Sequence, residues 1–300
     1  MALKAKSPEA VDKRFKVFMF GGAGVGKTRA ALQFGRNYHI DCERGADNYV
    51  DLYKASNSVR LQTTDYEEVI DQVRSLATEK HDYQTVTIDP VTTIESDLIM
   101  RSEDHIVAAI MAKGKSTQAE AAMEAKGDMR VWRDRDRILK RLGLLLLNLD
   151  MNVIVISHGK VEYGDNMKKI GTTFDAWKRW EFMFDLSLEI ARHGNRTVAT
   201  VKKTRLAKFP HGDVFDFSYN AVRDRIGSAI ERPVETTVLA SAEQVAELKR
   251  LVDIVKLPEG QTDKWLVAAQ CDCFEDMPAD KVAKCIEHVK KLLGSNGESK

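Results

Sequence analysis

Gly21-Gly22-Ala23-Gly24-Val25-Gly26-Lys27-Thr28 is the stretch that decides the fold of this chain. Its spacing is G-x-x-x-x-G-K-[ST], that of a phosphate-binding loop. The apolar run Phe15-Lys16-Val17-Phe18-Met19-Phe20 before it reads as a buried strand, and Arg29-Ala30-Ala31-Leu32-Gln33-Phe34 after it reads as the start of a helix. Strand, glycine loop and helix form the context the motif needs. Lacking Cβ atoms, the glycines let backbone N–H groups turn inward and approach phosphate oxygens. The helix N-terminus adds the positive end of its dipole. Lys27 is expected to reach the β- and γ-phosphates and Thr28 to offer its hydroxyl to Mg2+.

Outward from the loop, short apolar runs alternate with helical patterns. Tyr38-His39-Ile40-Asp41, Thr85-Val86-Thr87-Ile88-Asp89 and Asn152-Val153-Ile154-Val155-Ile156-Ser157 read as buried strands, and residues 66–78 and 129–149 as helices. Such alternation predicts a parallel sheet covered by helices. Residues 186–191, 197–202 and 214–219 are shorter runs separated by turn signals at His193-Gly194-Asn195 and Pro210-His211-Gly212-Asp213, and are expected to extend the sheet antiparallel. Residues 108–125, rich in Ala, Lys and Glu, are either helical or mobile. The expected organisation is an N-terminal segment (1–13), an α/β core (14–225), a linker around Pro233 (226–240), a helical module (241–294) and a polar, disordered tail (295–300). In the module, Ser241 and Gln244 fit a capping box and Pro278 starts a further helix.

The formal net charge of +1 excludes a uniformly basic surface, so any nucleic-acid contact must come from local patches. No apolar stretch is long enough to span a bilayer, and no signal peptide is visible at the N-terminus. With four cysteines and no secretory signal, the expected setting is a cytoplasm that keeps thiols reduced. Cys271, Cys273, Cys285 and His288 can be drawn as a zinc site, but the single-residue gap is tighter than structural zinc spacing, and small apolar residues in a helical core are the favoured reading.

Three further features bear on chemistry. Asp89 ends an apolar strand, as does the acid that holds Mg2+ in P-loop proteins, directly or through water. The next residue is Pro90 rather than a glutamate, so the group that orients water must come from elsewhere. Glu43, just past the second strand, is the candidate, the alternative being a solvated loop charge; Asp41 can serve as a structural acid. His158, following Ser157, can sense the γ-phosphate or tie down the next loop. Residues 192–212 carry Arg192, Arg196, Lys202, Lys203, Arg205 and Lys208 and no acid, which suits phosphate contact or a solvated sheet edge equally.

In their chain order, Gly21 to Thr28, Ile40-Asp41-Cys42-Glu43, Val86 to Asp89, Ile154-Val155-Ile156-Ser157-His158 and Val201-Lys202-Lys203-Thr204-Arg205 resemble the RecA-fold ATPases, and more closely the phage-encoded RecA-core proteins that include single-strand annealing recombinases. The resemblance covers residues 14–220. It implies a RecA-like P-loop NTPase core that uses ATP and Mg2+, with Glu43 activating water. His158 stands where RecA itself carries a glutamine that couples γ-phosphate to its DNA loop. It further implies that Lys203 and Arg205 reach the nucleotide of a neighbouring subunit, so that ATP lies between subunits of a ring or filament. Two segments stand where RecA proteins have DNA loops: one with Lys113, Lys115, Lys126 and Arg130, the other with Lys160, Lys168, Lys169, Lys178 and Arg179. In the second, Tyr163, Phe174 and Trp177 either stack on unpaired bases or pack the loop against the domain.

The function expected on this basis is a DNA-stimulated ATPase that binds single-stranded DNA as a homo-oligomer, without a membrane, and promotes annealing or strand exchange. The alternatives are a RecA-fold motor such as a ring helicase, and an ATP-gated scaffold with slow hydrolysis. The C-terminal module would then bind DNA, a neighbouring subunit, or a partner such as a single-strand binding protein. A small-molecule kinase, which needs a lid and an acceptor pocket, is disfavoured.

Overall fold

A computed structural model describes residues 14–114, 117–255 and 257–297. The expected N-terminal segment 1–13, Lys115 and residues 298–300 of the expected tail lie outside the described residues. Ten elements lead to the centre of the chain: β1 (Lys16–Gly21), α1 (Lys27–Ala31), β2 (Asn37–Asp41), α2 (Val50–Ser56), β3 (Val59–Gln62), α3 (Tyr66–Thr78), β4 (Thr85–Asp89), α4 (Val91–Met111), α5 (Gln118–Lys126) and α6 (Met129–Asn148). The rest of the core is β5 (Asn152–Tyr163), β6 (Lys169–Phe174), α7 (Arg179–Met183), β7 (Leu186–His193), β8 (Arg196–Thr204), β9 (Val214–Asp216) and α8 (Tyr219–Ile226). Three further helices follow, α9 (Ala242–Val255), α10 (Gln261–Ala269) and α11 (Ala279–Gly297).

Among the described residues nine strands form one sheet in the order β3-β2-β4-β5-β1-β7-β8-β9, with β6 paired to β5. The strands from β3 to β7 in that order are parallel, whereas β8 pairs antiparallel with β7, β9 with β8 and β6 with β5. This is the mostly parallel sheet with an antiparallel extension read from the sequence. One detail differs: β7 pairs parallel to β1, so the extension begins only at β8.

The apolar runs are continuous because both faces of the sheet are covered. In β1, Phe18 and Phe20 point to a core shared with α3, α4 and α6, while Val17 and Met19 point to a second core that includes Ala30, Ala31, Phe34 and Val222. The helices begin where local chemistry favours them. Asp65 caps α3 by accepting from the Glu67 N–H at 2.9 Å, and Asp128 caps α6 by accepting from the Arg130 N–H at 2.7 Å. Residues 108–125 are largely helical: α4 runs to Met111, and α5 starts from a Thr117–Glu120 capping box. The far half of α4, α5 and the start of α6 bury a small cluster of their own, Ile106, Ile110, Ala121, Ala125 and Val131, and so make a helical arm.

The segment after α8 is held along its length. Arg14 donates to the carbonyls of Ala229, Arg232 and Pro233 and pairs with Asp150 at 3.0 Å, and the Thr237 N–H donates to Ala77 O at 2.7 Å. The last three helices share one core, with Leu248, Leu251, Met277, Val282 and Val289 at its centre. The Ser241 and Gln244 box forms, with bonds of 3.0 and 3.2 Å. These helices dock on α3 and α6 through buried Asp276, which pairs with Arg141 at 2.6 Å and Arg74 at 3.4 Å. The last helix continues to Gly297, beyond the boundary expected at 294. The Cys271 and Cys273 thiols both donate to Asp276, and no group of three or more His, Cys, Asp or Glu among the described residues is placed to hold a metal ion. No helix among them is long and apolar enough to cross a membrane.

Candidate active site

The parallel strands β1, β2, β4 and β5 deliver their C-terminal ends to one rim, where ligands bind in open α/β sheets. Register fixes which residues meet there: Gly21 lies beside His158, and Asp41 beside Asp89. β5 lies between β1 and β4, so a full strand separates the phosphate loop from Asp89 and the groups converge from four strands.

Close packing dictates the loop. A Cβ on Gly21 would lie 2.2 Å from the Ile190 carbonyl oxygen, so this position needs glycine. Gly26 has φ +98 and precedes the first turn of α1, a conformation that L side chains rarely adopt. The Lys27 ammonium donates to the carbonyls of Gly21 at 2.7 Å and Gly22 at 2.8 Å, which holds it over the loop. Burial draws the Lys27 amine below its usual pKa, against the opposing pull of Asp89 and Glu43. The Thr28 hydroxyl donates to Asp89 Oδ2 at 2.6 Å, and His39, fully buried on β2, faces the same oxygen at 3.5 Å. Gly22, Ala23, Gly24 and Val25 form the turn between β1 and α1, with Gly24 at φ +70.

Glu43 joins this group by way of Asp41. The Asp41 carboxylate accepts from the backbone N–H of Glu43 at 3.2 Å and of Ala46 at 3.4 Å, and from Arg60 at 3.3 Å, which fixes the loop carrying Glu43. Asp41 is therefore the structural acid of the pair. Glu43 Oε2 lies 3.1 Å from His158 Nε2, and Oε1 accepts from the Thr93 hydroxyl at 2.7 Å. Lys27, Thr28, Glu43, Asp89 and His158 thus stand together at the rim, an arrangement chemically suited to phosphate binding and the activation of water.

Sequence reasoning missed the first turn of α4. Thr92 bonds Ser157 Oγ at 3.1 Å, donates to Asp175 O at 2.9 Å and accepts from the His158 N–H at 3.0 Å. Glu95 is buried and accepts from the Trp177 N–H at 2.8 Å and Trp180 Nε1–H at 2.7 Å. Burial pushes its carboxyl up to about 7, against those two donors. The available signal was a run of polar residues, Thr92, Thr93 and Glu95, at the start of a helix directly behind Asp89.

Lys203 and Arg205 do not join the rim of their own chain. Lys203 is level with Ser187, itself level with Phe18, three residues back from Gly21. Its ammonium donates to Phe184 O, and burial, aided by the charge of Arg205, lowers its pKa. Arg205 donates to Phe182 O at 2.7 Å and pairs with Asp185 at 3.3 Å.

Helices and strands make up much of the two basic segments, with Lys113, Lys168 and Lys178 in the turns between them. Lys113, Lys126 and Arg130 are exposed on the helical arm, Arg130 paired with Asp128 at 2.6 Å. Lys160, Lys168 and Lys169 are exposed on a hairpin formed by the outer half of β5 and β6, followed by exposed Lys178 and Arg179. Lys160 pairs with Asp175 at 3.0 Å. Trp177 requires a correction as a base-stacking residue. It is 4% exposed, its backbone is bonded to Glu95 and its ring lies edge-on to Trp180, so it packs the base of the hairpin and offers no face to a nucleic acid. Phe174 likewise packs on Phe18 and Phe20, whereas Tyr163 is exposed.

The family model described as AAA domain matches residues 13–208. No curated protein matches the chain. Among solved structures, a crystal structure of the RadB recombinase is similar at 14% identity over 67% of this chain and 84% of that chain, with a TM-score of 0.37. The family match runs from the phosphate-loop strand through β8 and contains every member of the rim constellation, so the chain belongs to the AAA domain family and its core is a P-loop NTPase core.

Proposed function

We propose that this protein is an ATPase of the RecA type that acts on single-stranded DNA in recombination or strand annealing, as an oligomer with ATP between subunits. The observation that carries the reading is the meeting of Lys27, Thr28, Glu43, Asp89 and His158 from separate segments at one rim of the sheet. The loop amides and Lys27 would bind the phosphates. The Thr28 hydroxyl and the Asp89 carboxylate are hard oxygen donors 2.6 Å apart, a set that fits Mg2+. When bound, the ion would neutralise charge on the phosphate oxygens. Glu43 would accept the proton of a water attacking the γ-phosphorus, as the bond to the ADP oxygen breaks. His158, bonded to Glu43 and continuous with the hairpin strand, would report the state of the phosphate.

Lys203 and Arg205 stand back from their own phosphate loop, and Arg205 remains half exposed. A role for them at a nucleotide therefore requires a neighbouring copy, and stabilisation of transition-state charge by such a finger is worth about 10³–10⁵ in rate. Lys160, Lys168, Lys169, Lys178 and Arg179, with exposed Tyr163, support single-strand contact at the hairpin, and Lys113, Lys126 and Arg130 support it at the helical arm. The test is steady-state ATP hydrolysis with and without single-stranded DNA at low and moderate salt. Strong, salt-sensitive stimulation is expected, and a slow rate indifferent to DNA would overturn the DNA-dependent reading.

A further inference from the structure

We infer that Thr93 is a positioning residue for the Glu43 carboxylate, an inference that rests on the hydrolytic role proposed for Glu43. Glu43 lies on a loop with its side chain 42% exposed, and two groups hold its two oxygens. His158 faces Oε2 at 3.1 Å, and the Thr93 hydroxyl donates to Oε1 at 2.7 Å. The two holders differ in what stands behind them. His158 is at the rim itself, level with Gly21, with its side chain 43% exposed, so its contact with Glu43 competes with contact to phosphate.

Thr93 sits in the first turn of α4, which is anchored on both sides of it. Thr92 is tied to Ser157, Asp175 and the His158 backbone, and Glu95 is tied to Trp177 and Trp180. The Thr93 hydroxyl is therefore a fixed point, whereas the His158 ring is an exchangeable one. With Oε1 held by Thr93, Oε2 is the oxygen that turns from His158 to an attacking water. Without Thr93, the carboxylate of a flexible exposed side chain loses the bond that orients it, and a misplacement of about 1 Å costs on the order of 10²-fold in rate.

The experiment measures kcat and KM for ATP on the full chain with single-stranded DNA present. Thr93→Val, which keeps shape and removes the hydroxyl, is expected to lower kcat by about 10–100-fold with KM within about twofold. Thr93→Ser is expected to restore kcat to within about threefold, because it returns the donor. In a Glu43→Ala background, Thr93→Val is expected to cost no more than about twofold further, since the two residues act as one unit. Wild-type kcat in Thr93→Val, failure of serine to rescue, or an equal loss in the Glu43→Ala background would overturn the inference. Wild-type kcat in Glu43→Ala alone would instead overturn the role of Glu43, on which the inference rests.

Discussion

Glu95 shows at the residue scale how burial sets a pH dependence. In the folded chain its carboxyl is raised from 4.5 to about 7, so between those values the native state holds a proton that the unfolded chain has released. Stability then falls as pH rises through that window and levels off above it. Because Glu95 anchors the backbone of Trp177 and the ring nitrogen of Trp180, the dependence belongs to the base of the hairpin. Glu95→Gln keeps an acceptor and cannot ionise. Its melting temperature is expected to change less between pH 5 and pH 8 than that of the wild type, and equal pH dependence in the two would disprove the assignment. Asp41 and Glu43 illustrate the opposite lesson. Two acids two positions apart have different surroundings: Asp41 is buried under backbone donors, and Glu43 points to the rim.

At the scale of elements, the hairpin of β5 and β6 is the feature most exposed to test. Lys168 and Lys169 lie at its tip, where neither pairs with an acidic side chain among the described residues, next to exposed Met167 and Ile170. If both contact phosphate, Lys168→Ala with Lys169→Ala should reduce the slope of log affinity for single-stranded DNA against log salt by about 1.4. An unchanged slope would remove the hairpin tip from the DNA surface. This hairpin was not legible in the sequence. Its strands are mostly Lys, Glu, Gly and Thr, because beyond Phe174 at its base neither face enters the core, and a pattern produced by burial is absent where burial is absent. The same reason hid β3, an edge strand with three of four residues exposed. By contrast β1, β4 and the first half of β5 are buried on both faces and stood out as apolar runs, as did α3 with its period of apolar residues. The phosphate loop, Asp89, Glu43 and His158 could be singled out as candidates because each stands at or just past the end of a buried strand run, Glu43 past that of β2. Thr92, Thr93 and Glu95 were not, because their partners lie on segments far away in sequence and only tertiary structure makes the pairs.

On the scale of the whole molecule, the separation of Lys203 and Arg205 from the rim of their own chain poses a question of assembly. A site shared between copies makes a head-to-tail interface, in which each subunit presents a phosphate loop to one neighbour and a basic finger to the other. Mixing Lys27→Ala with Arg205→Ala should then recover activity that neither has alone, since about a quarter of random interfaces would carry both intact groups. No recovery on mixing would confine the two residues to a structural role. The long middle strand has a mechanical consequence as well. β5 passes without a break from the interior, past His158, into the hairpin, and a Cβ on Gly159 would lie 2.8 Å from Gly21, so strand and phosphate loop touch backbone to backbone. From His158 to Tyr163 is about 17 Å of extended chain at ~3.3 Å per residue. A stiff beam pivoting at that contact magnifies what happens there: a tilt of about 6° would carry its tip through ~1.7 Å, half the axial step of one strand residue. Motion of that size would need no hinge, only a fulcrum, and the contact of Gly21 with Gly159 would serve as one.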